Sequence, residues 1–228
     1  MVSRAVFAPG RFRMLLLSLL LFLLGGAVAP SFGGRILEFV LLATTLAVAI
    51  LELRAPGQRR VVPFVLAVSV IAVSVVDLAI PLRHTPVVAS AVVGLFAGLV
   101  VWLAYGSVMR RSRPVGDRIV GAICVYILIG LAWASVYETL ESVAPSSFRF
   151  PVDTAWTTPS AQRFRYFSFV TLATLGYGDI TPISLLAGTL ASLEAVSGQL
   201  YIGITVARLV ALSLADRTGP DDRSKSDV

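Results

Sequence analysis

Apolar runs dominate this 228-residue chain. They cover residues 14–29, 36–53, 61–82, 86–109, 117–140 and 183–214, with short polar stretches between them. A bilayer crossing takes about 20 predominantly apolar residues. Hydrocarbon leaves a spanning backbone no choice but to pair within its own segment. The pattern therefore predicts an all-α membrane protein with six transmembrane helices. Composition agrees: 57% of residues are hydrophobic and 14% are charged, against roughly 25% charged in soluble domains. The formal charge of +6 does not point to nucleic acid, because the arginines sit between apolar runs, where they set topology.

The flanks of each run add detail. Arg4, Arg11 and Arg13 precede the first run, and Ala27-Val28-Ala29 ends it. That arrangement fits a cleaved signal peptide as well as a retained helix. Pro30, directly after the cut, makes a poor cleavage site and favours retention. Glu38 and Glu52 mark the ends of the second run. Asp77 lies near the far end of the third, beside Arg83 and His84. An acid there reads either as one partner of an interfacial ion pair or as a gating or proton-linked group. Gly94 and Gly98, four apart in the fourth run, offer a small-residue packing face. No charge lies between Thr85 and Met109, and Arg110, Arg111 and Arg113 cluster after that run as cytoplasmic anchors. A voltage-sensing helix needs arginines spaced along it, so weak voltage dependence is expected. The single cysteine, Cys124, excludes a disulfide within the chain, and no metal-binding cluster is visible.

Between the fifth and sixth runs stands Thr171-Leu-Ala-Thr174-Leu175-Gly176-Tyr177-Gly178-Asp179. A short aromatic segment with Phe164, Tyr166, Phe167 and Phe169 precedes it, and a long apolar run follows. This arrangement resembles the signature loop of tetrameric potassium channels. The resemblance covers about residues 117–214. It implies a re-entrant pore helix and a selectivity-filter loop between the fifth and sixth helices. In such loops backbone carbonyls from four subunits replace the water around potassium. The resemblance places the ion-binding filter at Thr174, Leu175, Gly176, Tyr177 and Gly178. Glycines at alternate positions ease the backbone angles this requires. Thr174 would add a hydroxyl at the inner end, while the side chains of Leu175 and Tyr177 would face away and brace the filter. Asp179 would sit at the outer mouth and tie the loop down. Leu175 stands where the family more often has Val or Ile. Val170 stands where some relatives carry a glutamate linked to the filter aspartate, so that link is absent here.

Ser160 is the expected cap of a pore helix over 161–173, whose rings would form a cuff around the filter. The negative end of its dipole would favour cations. Arg163 and Arg165 sit near its outer start, as turret contacts. The stretch from Glu141 to Thr158 is rich in Pro, Ser and Thr and predicts no regular structure. At about 1.5 Å per residue the sixth run exceeds the roughly 30 Å hydrocarbon layer, so it should tilt or project into the cytoplasm. Gly198 follows Asp179 by nineteen residues. By resemblance it is a gating hinge; by composition alone it is equally a close-packing glycine. Gln199, Ile202 and Val206 share one helical face and are read as lining the cavity. Glu194, an acid within this run, should face protein rather than lipid. It is read as filter support bonded to Thr171 or Tyr166, or as a gating acid.

With a cytoplasmic start, fourteen of the nineteen lysines and arginines fall inside and five outside. That asymmetry supports six crossings with both termini cytoplasmic, and a filter loop entered from outside. The domains are then a cytoplasmic N-terminus (1–13), a four-helix membrane domain of unknown role (14–110), a pore domain (117–214) and a short cytoplasmic tail (215–228). One filter loop per chain implies a homotetramer. The function implied is passive potassium conduction across the cell membrane, without enzymatic chemistry, cofactor or nucleic-acid partner; potassium is the permeant ion. A weakly selective cation channel, with a filter loosened at Leu175, is the alternative within the same class. A cation-coupled transporter using Asp77 and Glu194 is the alternative outside it, although transporters usually show paired internal repeats. A non-conducting membrane scaffold is a further alternative, but it would have no use for the loop.

Overall fold

The computed structural model describes residues 11–28, 40–45, 47–49, 68–72, 75, 85–108, 115–151 and 160–217. Where they are described, the apolar runs close their backbone hydrogen bonds within helices, as a lipid-facing segment must. In chain order the main elements are α1 (Arg11–Val28), α2 (Thr85–Val108), α3 (Val115–Val143), β1 (Phe148–Arg149), α4 (Ser160–Leu172), β2 (Thr181–Pro182) and α5 (Leu185–Arg217). Three helical segments are long and apolar enough to cross a membrane: Val87–Gly106, Gly116–Val143 and Leu185–Leu214. These are the fourth, fifth and sixth runs. The first run is a shorter apolar helix, Phe12–Gly25. Shorter helical stretches within the second and third runs lie at 40–45, 47–49 and 68–72. Asp77, Arg83 and His84 lie outside the described residues, as do Glu38 and Glu52.

Side chains four apart decide which face of each helix is buried. On α2, Phe96, Val100, Ala104 and Val108 form one stripe. It packs with Ala122, Val125 and Leu128 of α3 and with Phe12, Leu15 and Leu19 of α1. Val88, Leu95 and Trp102, seven apart on α2, face away and are exposed. The Thr139 hydroxyl donates to Ser90 Oγ at 2.8 Å, a polar tie between α3 and α2.

A second core lies toward the other end of α3. Tyr137, Phe148, Phe164 and Phe167 meet edge to face, with centroids 5.1–5.5 Å apart, a favoured aromatic geometry. Phe148 is the hub, and a short ladder holds it in place. Residues 148–149 pair antiparallel with 181–182, with Phe148 opposite Pro182. The Ile183 and Ser184 amides extend this contact by donating to the Ser147 carbonyl. The stretch after Glu141, expected to be irregular, therefore contains a strand. Glu141 organises the turn before it, accepting from the Ser146 amide at 2.9 Å and the Phe148 amide at 3.2 Å. The helix α5 also continues to Arg217, into the stretch read as a tail. Nothing breaks it before Gly219 and Pro220.

Candidate functional site

The short helix α4 lies between α3 and α5, and it approaches both where they carry glycine. At Gly130 of α3 a β-carbon would sit 2.6 Å from Cε1 of Phe169. At Gly198 of α5 a β-carbon would sit 2.6 Å from the backbone carbonyl oxygen of Leu172. These two contacts set the depth at which α4 ends and its loop begins. Gly198 therefore has a demonstrated packing role, one of the two roles open from the sequence.

The end of α4 is a Schellman cap. Leu175 N–H donates to the Val170 carbonyl and Thr174 N–H to the Thr171 carbonyl, both at 2.9 Å. Such a cap requires a left-handed residue, usually glycine. Here Thr174 takes it, at φ +58°. For a β-branched residue that conformation is uncommon and strained. Beyond it, φ is positive at Gly176 (+56°) and Gly178 (+78°) but not at Leu175 or Tyr177. Alternation of hand along a backbone turns successive peptide units the same way, with N–H groups on one side and carbonyls on the other. The loop thus has the backbone form that a row of oxygen ligands needs. Among the described residues no cluster of His, Cys, Asp or Glu could hold a metal ion.

Asp179 ends the loop. Its Oδ2 accepts from the Tyr166 hydroxyl at 2.6 Å, and its Oδ1 from the Ile180 amide at 2.9 Å. The loop is therefore tied to the middle of α4 by Tyr166. Leu175 and Tyr177 are 57% and 66% exposed within the single chain. Among the described residues nothing packs these two side chains tightly.

Of the four α4 rings expected to surround the loop, only Tyr166 bonds to it. Phe164 and Phe167 enter the aromatic core, and Phe169 packs on Gly130. Glu194 is buried against protein, as expected, but its partners differ from those expected. It is bonded to neither Thr171 nor Tyr166. Tyr137 of α3 and Ser168 of α4 hold it instead. The reason is angular: on α4, Ser168 faces α3 and α5, whereas Tyr166 is turned toward the loop. Tyr137 and Ser168 were missed in the sequence. The only available signal was that a buried acid needs a hydroxyl donor on a facing helix. Gln199, Ile202 and Val206 are all exposed on α5, consistent with a shared open face.

Residues 125–213, from α3 through the loop to α5, match a family described as ion channel. The chain is also similar to the inward rectifier potassium channel Kirbac3.1 of Paramagnetospirillum magnetotacticum, at 33% identity over 109 residues. That match covers 47% of this chain and 32% of the relative, so the chain spans about a third of that protein's length. No solved structure matches the chain. Both likenesses point to a channel rather than an enzyme.

Proposed function

We propose that this chain is the subunit of a potassium-selective channel that conducts passively across the cell membrane. Four copies surround one axis, each contributing the carbonyls of residues 174–178. The observation that carries this reading is the alternation of φ sign at Thr174, Gly176 and Gly178 in a loop anchored at both ends. The ion-channel match over residues 125–213 supports it. Such non-helical backbone is tolerated at membrane depth only where it lines a wet cavity or is buried in protein. Gly198 would serve as a hinge as well as a contact. Gln199, Ile202 and Val206 would line the cavity below the filter, and both termini would be cytoplasmic.

The test is ion flux in proteoliposomes with potassium inside and sodium outside, then with the ions exchanged. Potassium-selective flux blocked by barium is expected. Gly178→Asp should abolish it, because a side chain at φ +78° is strained, while the variant still assembles. Unaltered flux in that variant removes the filter assignment. Leu175, at the position where the resembled family more often has Val or Ile, is the ground for one second reading, a weakly selective cation channel. Equal sodium and potassium flux would establish it.

A further inference from the structure

Glu194, Tyr137 and Ser168 meet at the junction of α5, α3 and α4, each with no exposed surface. Three oxygen–oxygen contacts build the cluster. Tyr137 Oη lies 2.5 Å from Glu194 Oε2, and Ser168 Oγ lies 2.5 Å from Glu194 Oε1. Ser168 Oγ also lies 2.7 Å from the Gly130 carbonyl oxygen. Oxygens this close need a proton between them. A phenol and a serine hydroxyl bring one each, whereas a backbone carbonyl and an ionised carboxylate bring none. With Glu194 ionised, two protons serve three contacts. Ser168 must then face either the carboxylate or the carbonyl lone pair to lone pair. A protonated carboxyl closes the count. Tyr137 donates to Oε2, the acid donates from Oε1 to Ser168, and Ser168 donates to Gly130.

We infer that Glu194 stands in this site as a neutral acid and hydrogen-bond donor, and that the resulting relay is a positioning device. It ties α3, α4 and α5 together in one directional chain. The register of α4, and so of the loop it carries, depends on it. The ionisable neighbours fit a neutral group. Tyr137 and Tyr126 on α3 are phenols, and α5 carries no other charged side chain before Arg208. On α4 the basic residues Arg163 and Arg165 lie toward its outer start. A fully satisfied buried network specifies one arrangement, whereas a partly satisfied one is destabilising.

Infrared difference spectroscopy on the purified full chain tests this directly, with Glu194→Gln as the reference. At neutral pH the difference should contain a protonated carboxyl C=O band that moves down in heavy water. Ser168→Ala should move that band up, because the acid loses its acceptor. Carboxylate bands in place of the carboxyl band would overturn the inference, as would a band indifferent to Ser168→Ala. A functional pair follows. Glu194→Ala should lower potassium flux about tenfold or more, since two buried hydroxyls lose their partner. Glu194→Gln, which accepts from Tyr137 and donates to Ser168, should rescue most of it. Failure of that rescue would overturn the positioning role. The flux arm rests on the channel reading, but the infrared arm needs only folded protein. A carboxyl band without any flux would sink the channel reading and leave the neutral acid standing; carboxylate bands with normal flux would do the reverse.

Discussion

Gly198→Ala separates the contact at this position from its role as a hinge. A β-carbon there would meet the Leu172 carbonyl oxygen at 2.6 Å and the Leu172 side chain at 2.8 and 3.2 Å. The Leu172 side chain can rotate away. The carbonyl cannot, because it belongs to the last turn of α4, one residue before the cap that sets Thr174. Ordinary contact begins at 3.4 Å, so α4 and α5 must separate by several tenths of an ångström. Overpacking of this kind costs about 1–3 kcal/mol. Alanine returns about 0.8–1 kcal/mol of helix propensity. The net expectation is roughly 0–2 kcal/mol of destabilisation per chain, and it acts in every copy of an assembly. Thermal unfolding of the purified protein should therefore show a lower midpoint, together with reduced potassium flux. A raised midpoint would refute the contact, because propensity would then be the only effect. A raised midpoint with impaired opening would leave the hinge as the role of Gly198.

Thr174→Gly should relax the left-handed cap and stabilise the end of α4 by about 1 kcal/mol, while potassium-over-sodium discrimination falls in competitive flux; unchanged discrimination would remove the hydroxyl from the ligand set. Tyr166→Phe deletes the bond to Asp179 Oδ2, worth about 1.5–3 kcal/mol for a charged acceptor. Its conduction should decay faster under sustained flux, and an unaltered time course would show that Asp179 is held by other means. In a planar bilayer the open probability should change little with voltage, since one transferred charge is worth about 2.3 kcal/mol per 100 mV and α2 carries none. Steep activation would refute that.

The three long apolar helices were legible because their determinants are local. Helices α2, α3 and α5 follow from runs of apolar residues, and their observed ends lie within three residues of the expected ones. The start of α4 and its aromatic character are visible in the same way. Gly176 and Gly178 announce positive φ because few other residues tolerate it. Thr174 announces nothing, since a β-branched residue in a left-handed cap runs against local preference. The strand at Phe148–Arg149 was hidden too, because two residues carry no periodicity and their partner lies beyond the loop.

The sequence by itself determined that the chain is helical and membrane-spanning, where its loop lies, and that its glycines alternate. Those properties rest on composition and on backbone freedom, both of which act between near neighbours. Tertiary structure decided which groups meet. Glu194 finds Tyr137 from 57 residues away and Ser168 from 26, and Asp179 finds Tyr166 across the loop. A residue's type shows that it needs a partner, but the angle at which three helices cross selects which hydroxyl arrives. Gly198 makes the same point: a missing β-carbon is written in the sequence, and the carbonyl that fills its place is supplied only by the packing of α4 on α5.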